Sequence, residues 1–277
     1  MWLCWLLVVF AATAAAATEL KPETAAGFNQ YVRATEARMD DDVRQGRFLA
    51  VDRLPEPRQR EAYDRLRRGE IYVEALHGSD ENTTIRVSNG LIHHWAGVIF
   101  IREGTLFEAL AVLQDYEHHQ EIYRPEIRKS RLIERNGDQS TIFLQLFNKS
   151  VVVVMLNAEF DVSDMQFGGF QHQIACRSTR IAEIAHPGRR DEHELPVGND
   201  HGYMWRLDTY WRIEEKDGGV YIQNESVALT RTVPVLLGWL VDPMIRVIPR
   251  NVLSRLLTAT RRAIVKSGAV TTEQDSL

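Results

Sequence analysis

A long amphipathic segment, residues 229–266, constrains the fold of this chain more than any other stretch. In its second half one series of residues recurs at helical spacing, and the arginines fall mostly off that stripe. The series is Leu253, Leu256, Leu257, Thr260 and Ile264. Pro249 suits the first turn of a helix and Gly268 suits its end, so we predict one helix of roughly five turns. Residues 92–229 are strand-rich, so this helix is expected to lie on a β-sheet and to close the fold.

Strand-like runs separated by turn signals fill the middle of the chain. The first covers residues 90–101, and Thr105 then begins two short helical segments that end before Pro125. Further runs lie at residues 129–134, 140–147, 151–160, 170–185, 202–214 and 220–229. Strand–helix–strand alternation does not recur and turn signals join successive runs, so we predict an antiparallel sheet.

The run at residues 202–214 has the clearest alternation. One face of such a strand would carry Tyr203, Trp205, Leu207, Trp211 and Ile213. Charged residues, among them Arg206 and Arg212, fall on the other face. We expect the aromatic and aliphatic face to point toward the closing helix.

A charged residue shares the predicted inward face of the run at residues 170–185. Arg180 has the same parity as Ile174 and Ile184, so it points inward with them unless a β-bulge intervenes. There it could meet a ligand carboxylate or phosphate, or form an ion pair with a protein carboxylate such as Glu225. The ion pair is the favoured interpretation, because a buried charge needs a permanent partner.

The N-terminal quarter of the chain reads differently from the strand-rich part. Residues 18–89 are predicted to form a mainly helical extension that packs on a domain formed by residues 90–268, and residues 269–277 to form a disordered tail. The run at residues 151–156 is apolar at every position, which indicates cover on both sides of the sheet. The extension is a candidate for that second layer.

An apolar run followed by small residues opens the chain. Residues 1–17 match a secretory signal peptide with an A-x-A cleavage site, which predicts an exported protein, periplasmic or secreted. An uncleaved N-terminal anchor and a wrongly assigned start codon are the alternatives. After cleavage Cys176 would be the only cysteine, so no internal disulfide can form and the core must hold the fold.

Charge and motifs exclude several classes of function. A formal net charge of -5 with interleaved acidic and basic residues offers no basic surface, so we exclude nucleic acid as a partner. His93 and His94 point to opposite faces of one strand, and the histidines of the loop at residues 186–201 match no metal-ligand spacing. Nucleophile, phosphate-binding and dinucleotide motifs are missing from the sequence. We therefore predict no catalytic residue, no metal and no cofactor.

The order of the predicted elements carries a family resemblance. The residues concerned are HHWAGVIFI (93–101), TLFEALAVLQDYEHHQEIYRPEIRKSRLIE (105–134), GYMWRLDTYWRIEE (202–215) and VYIQNESVALTRTVPVLLGWL (220–240). Over about residues 90–266 the sequence resembles the START-related, or SRPBCC, superfamily, which includes lipid-transfer domains, polyketide cyclases and coenzyme Q-binding proteins. This resemblance implies an α+β helix-grip fold, in which a curved antiparallel sheet wraps around a long C-terminal helix. Here the N-terminal, mainly helical extension is added to that plan.

The resemblance also implies a cavity between the sheet and the helix, filled by a lipid or other hydrophobic small molecule. The candidate ligand-binding residues are Trp95, Tyr123, Arg180, Trp205, Leu207, Tyr210, Trp211, Leu253 and Leu257. The large aromatic side chains would equally well fill a closed core. A cyclase- or aromatase-like enzyme, which needs paired titratable groups in the cavity, is one alternative, and a non-catalytic interaction module is another. Transient contact with a membrane surface is compatible with ligand binding, and the sequence does not indicate an oligomeric state.

Overall fold

A computed structural model of the chain describes residues 18–76, 84–149, 153–232 and 238–274. Within the last of these ranges, side chains are described for residues 249–268. The predicted signal peptide, residues 1–17, lies outside the described residues. Among the helices that are described, none is both long and apolar enough to cross a membrane.

Helices flank a set of long strands. The helices are α1 (Pro22–Arg44), α2 (Glu56–Arg67), α3 (Leu106–Leu113), α4 (His119–Ile122) and α5 (Gly238–Gln274). The strands are β1 (Thr18–Glu19), β2 (Tyr72–Ala75), β3 (Thr84–Val87), β4 (Gly90–Arg102), β5 (Ile127–Asn136), β6 (Gln139–Lys149), β7 (Val153–Phe167), β8 (Gln171–Ala185), β9 (His193–Glu194), β10 (Asn199–Asp200), β11 (Arg206–Lys216) and β12 (Gly219–Arg231).

The strands form an antiparallel sheet in the order β2-β4-β12-β11-β8-β7-β6-β5, with β3 paired to β4 and β9 to β8. Most connections are hairpins between neighbours, as the turn signals predict, and the β4–β12 pairing brings the first long strand beside the last. Helices α3 and α4 connect β4 to β5, and α5 follows β12 and packs on β4. This is the helix-grip order, so the predicted α+β fold class is confirmed.

Helix α5 closes one face of the sheet as expected, but its ends differ from the prediction. It begins at Gly238 and continues to Gln274, so Pro249 and Gly268 both lie inside it. The predicted start at Pro249 is wrong because a proline removes one backbone hydrogen bond without having to end the helix. The tail predicted from residue 269 is likewise helical as far as Gln274.

Gly268 has a packing role instead of a terminating one. A Cβ added there would lie 2.6 Å from Glu108 Oε1. Glu108 also completes the N-terminal capping box of α3, because Thr105 and Glu108 bond to each other's backbone N–H. The glycine therefore allows α5 to approach the capped end of α3 closely.

Helix α1 covers the opposite face of the sheet. Its buried residues Phe28, Val32 and Met39 share an apolar cluster with residues of β4, β8 and β12. The extension thus supplies a second layer, as proposed from the sequence. Of the run where it was expected, residues 151 and 152 lie outside the described residues, and the layer does not cover the rest: α1 lies on the central strands, and Val153 on β7 is 44% exposed.

Candidate ligand-binding site

The sheet has two differently used faces, which we call the α5 face and the α1 face after the helices that cover them. On β4, Trp95, Ile99 and Ile101 belong to the cluster packed with α5, whereas Ile92 belongs to the α1 cluster and Val98 to the cluster around α2. Successive side chains of a strand alternate between faces, so odd-numbered residues of β4 point to α5. Both sides of this strand are consequently buried from Gly90 to Ile101.

The α5 face is mainly apolar. Buried members of its cluster on the central strands are Ile99, Ile142, Leu156, Ala158, Phe160, Val162, Ile174, Ile213 and Ile222. Helix α3 adds Ala109, Val112 and Leu113, and α5 adds Leu253, Leu257 and Ile264. The helix packs closely on the sheet at Gly97, where an added Cβ would meet Leu257 Cδ1 at 2.7 Å and Leu253 Cδ2 at 3.1 Å.

Most of the candidate ligand-binding residues reach this face. Trp95, Leu253 and Leu257 are buried in its cluster, and Leu207 and Trp211 pack against it half-buried. Tyr123 is buried at the end of α4, where its hydroxyl group lies 3.1 Å from Thr260 Oγ1 on α5. Tyr123 therefore helps to position α5.

Trp205 and Tyr210 lie on the α1 face, which corrects their assignment. Trp205 precedes the first residue of β11, so the alternation of that strand does not extend to it, and its Nε1 donates to Asp200 Oδ1 at 3.0 Å. Tyr210 shares the parity of Arg212 and donates from its hydroxyl group to Glu36 Oε1 on α1 at 2.9 Å. Both aromatic rings belong to the cluster under α1.

Arg180 does not point inward, because β8 contains a register shift opposite Glu159 and Phe160. Phe160 pairs with Ser178, and Glu159 pairs with Arg180, so the parity of β8 changes between the two pairs. The guanidinium group is exposed and forms an ion pair with Glu194. The suggested pairing with Glu225 is also wrong.

Apart from Arg261 Nε on α5 itself, three buried polar side-chain atoms on the α5 face or beside it have no hydrogen-bond partner. They are His93 Nδ1, Trp95 Nε1 and the Tyr116 hydroxyl group. His93 and Trp95 lie on β4, and Tyr116 follows α3 within the same apolar cluster as Trp95. Buried polar groups in native proteins normally have partners, so these three atoms mark places where a bound molecule could supply one.

Four buried ionisable groups at this face have pKa values shifted toward the neutral form. Burial lowers the pKa of His93 to about 4, and it lowers the pKa of His119 to about 4 against the opposing effect of the Leu113 carbonyl group. Burial raises the pKa of the Cys176 thiol to about 12 and also raises the pKa of Tyr116. Among the residues whose side chains are described, the only buried Arg or Lys is Arg212, which lies on the α1 face.

Two titratable pairs lie toward the edges of the α5 face. His172 Nε2 is 3.0 Å from Asp164 Oδ1, which also accepts a hydrogen bond from Gln114 at 2.7 Å. His201 Nδ1 is 2.6 Å from Glu183 Oε1. Sequence analysis missed both pairs because the partners come from different strands or from a strand and a loop, and no short motif joins them.

Two histidines of the loop at residues 186–201 contact another residue of the same loop. His186 Nδ1 pairs with Asp191 Oδ2 at 2.6 Å, and His193 Nδ1 lies 2.9 Å from the Asp191 carbonyl oxygen. Across the described part of the chain, no group of three or more His, Cys, Asp or Glu side chains could hold a metal ion.

Solved structures of other proteins are similar to this chain at low sequence identity. A STAR-related lipid transfer protein from Xanthomonas axonopodis is 14% identical, with a TM-score of 0.43 over 68% of this chain and 96% of that one. Human STARD10 is 10% identical, with a TM-score of 0.45 over 80% of this chain and 84% of that one. The Zhui aromatase/cyclase from Streptomyces sp. R1128 is 13% identical, with a TM-score of 0.39 over 64% and 93%. The order of the elements in this chain is that of the helix-grip fold. No family model and no curated protein matches the chain.

Proposed function

We propose that the protein binds a lipid or other hydrophobic small molecule between the α5 face of the sheet and helix α5. The observation that carries this proposal is the set of unpartnered polar atoms of Trp95 and Tyr116, inside an otherwise apolar cluster, and of His93 beside Trp95 on β4. Leaving such an atom buried without a partner costs about 1–3 kcal/mol, and a bound ligand with suitable oxygen atoms would remove that cost.

The way in which helices cover the α5 face supports ligand binding there. Helices α3 and α5 cover this face and α5 packs closely on Gly97, while Leu207 and Trp211 on β11 remain only half-buried. Such a face offers apolar area to a ligand without first exposing a tightly packed core.

Native mass spectrometry of protein purified from its own host, followed by solvent extraction, tests the proposal. We expect an excess mass that is lost on extraction, and an extract that contains a hydrophobic compound. Protein that carries no extra mass and also fails to bind a broad panel of labelled lipids would contradict ligand binding and favour the interaction module.

An enzyme that acts on the bound molecule is the second candidate, and the Asp164–His172 pair favours it. The carboxylate can orient the imidazole ring, and the ring can accept or donate a proton. Incubation of the extracted compound with the protein tests this candidate, because turnover that is lost in His172→Asn but kept in His118→Asn would establish it. His118 is an exposed histidine paired with Asp115, and it serves as the matched control.

Membrane contact is proposed at the end of the sheet where two phenylalanines are exposed. Phe107 is 80% exposed and Phe170 is 66% exposed. Both lie beside Glu215, since its Oε2 accepts from Leu106 N and its backbone N–H donates to the Phe170 carbonyl oxygen. Replacing both phenylalanines by serine should slow ligand transfer between vesicles without weakening ligand binding, and an unchanged transfer rate would contradict this contact.

Export is proposed from the sequence of residues 1–17. The mass of the native protein tests it: loss of the first 16 or 17 residues is expected, at one of two adjacent A-x-A sites. A cytoplasmic species that retains Met1 would contradict export.

A further inference from the structure

Two neighbouring side chains on the α5 face each leave one ring nitrogen without a partner. His93 and Trp95 lie two residues apart on the same side of β4, so their Cβ atoms are about 7 Å apart. Both residues are buried, with 7% and 6% of their surfaces exposed. Ring side chains with this spacing are neighbours, so one small polar group between them can reach His93 Nδ1 and Trp95 Nε1 together.

The two nitrogens have opposite hydrogen-bonding roles. The indole Nε1 of Trp95 carries a proton and can only donate. The other nitrogen of His93, Nε2, lies 2.9 Å from Thr230 Oγ1, and the Thr230 hydroxyl group donates its own proton to the Arg231 carbonyl oxygen at 3.3 Å. Thr230 must then accept from His93, which assigns the imidazole proton to Nε2 and leaves Nδ1 as an acceptor.

The charge of this face restricts the ligand further. A buried carboxylate or phosphate group needs a cation beside it. Arg212, the one buried Arg or Lys among the described side chains, contacts the Phe48 and Met39 carbonyl oxygens on the α1 face. Arg261 on α5 is half-buried with a buried Nε, and its terminal nitrogens donate to the Gly69 and Glu70 carbonyl oxygens. At His93 and Trp95 the described side chains thus offer a donor and an acceptor to a neutral group, and no fully buried Arg or Lys to an anionic one.

We propose that the polar end of the ligand is a neutral hydroxyl group that accepts a hydrogen bond from Trp95 Nε1 and donates one to His93 Nδ1. This inference rests on the proposed function, because it names the chemical class of the molecule bound at the same site. A ketone, ester or ether oxygen can satisfy Trp95 but leaves His93 Nδ1 without a donor. The anionic headgroup of a fatty acid or phospholipid can accept from Trp95 Nε1, but at neutral pH it has no proton for His93 Nδ1 and would need a cation beside it.

A displacement assay tests the chemical class of the ligand's polar end. Compounds with equal alkyl chains compete with the neutral fluorescent probe Nile red. The compounds are 1-hexadecanol, hexadecyl methyl ether and hexadecanoate, each used below its solubility limit at pH 7.5. We expect the alcohol to bind about threefold to tenfold more tightly than the ether, which corresponds to one net hydrogen bond, and more tightly than hexadecanoate. Equal binding of alcohol and ether, or preferred binding of hexadecanoate, would overturn the inference.

Single-residue variants test whether the preference for the alcohol over the ether comes from the rings of His93 and Trp95. Trp95→Phe and His93→Leu should each reduce the alcohol-to-ether ratio to about one to two while Nile red still binds. Trp205→Phe is the matched control, because its indole Nε1 donates to Asp200 near the α1 face, and it should keep the wild-type ratio. A wild-type ratio in Trp95→Phe would refute the assignment.

The outcomes separate the inference from the function on which it rests. If the wild-type protein does not bind Nile red or any hexadecyl compound, ligand binding itself fails. If it binds Nile red but does not distinguish the alcohol, only the hydroxyl class fails. Circular dichroism and melting curves establish that each variant is folded, and the wild-type comparison decides the class even if a variant is not.

Discussion

Replacing one buried carboxylate should release helix α1 from the sheet. Glu225 on β12 is 1% exposed and accepts hydrogen bonds from His94 Nε2 at 2.7 Å, from Arg38 on α1, and from Gln223 at 3.2 Å. The Tyr31 hydroxyl group of α1 lies 2.8 Å from the other ring nitrogen of His94. Glu225→Gln keeps the size of the side chain but removes the charge that these α1 residues surround.

The lowered pKa of Glu225 gives the size of the loss in folding stability that we expect from this substitution. Burial by itself would raise this pKa, but the hydrogen bond and charge of His94 together with Arg38 lower it from 4.5 to about 2. A difference of this size corresponds to roughly 3 kcal/mol of folding stability, within the range of about 3–5 kcal/mol for breaking a buried ion pair. Because the folded-state pKa is lowered, this stability is present above pH 4.5 and is lost as the pH falls toward 2.

Urea unfolding at several pH values measures both effects. At pH 7 we expect Glu225→Gln to lower the free energy of unfolding by about 3 kcal/mol, and we expect the variant to lack the part of the acid dependence below pH 4.5 that this carboxylate contributes. Glu194→Gln is the matched control, because Glu194 pairs with Arg180 at the surface, where a salt bridge contributes about 1 kcal/mol or less. A loss below about 1 kcal/mol for Glu225→Gln would refute the reasoning.

Two further substitutions test the packing of the helices on either face. Gly268→Ala should gain clearly less than the about 1 kcal/mol that the same change normally gains inside a helix, because the new Cβ would lie 2.6 Å from Glu108 Oε1 and that side chain must move away; the full gain of about 1 kcal/mol in urea unfolding would contradict this packing. Arg212→Met should cost about 2–4 kcal/mol in urea unfolding, because the Phe48 and Met39 carbonyl oxygens lose their buried donor, and a loss within about 0.5 kcal/mol would contradict that role.

The sequence predicted those features that repeat along the chain. Turn signals and alternation predicted an antiparallel meander, and helical spacing from Leu253 to Ile264 predicted the face of α5 that packs on β4. Alternation also placed Leu207, Trp211 and Ile213 of β11 on the α5 face. The spacing of apolar residues and the residue types that form turns are local properties of the chain. They can therefore be read from a single sequence.

The errors arose where one residue or one distant contact decides the outcome. A single extra residue in β8 turned Arg180 outward, and the late start of β11 left Trp205 on the α1 face. Gly268 was interpreted as a helix end because its contact with Glu108 lies far away in the sequence. The same limit hid the unpartnered Nδ1 of His93, because the other ring nitrogen is bonded to Thr230 on another strand.

A crystal structure of the protein purified from its own host without detergent tests the central claim most directly. Ligand binding predicts continuous electron density between the α5 face and α5, with an oxygen atom about 2.7–3.2 Å from Trp95 Nε1. A face filled entirely by protein side chains, with no additional density and with a protein acceptor beside Trp95 Nε1, would contradict it.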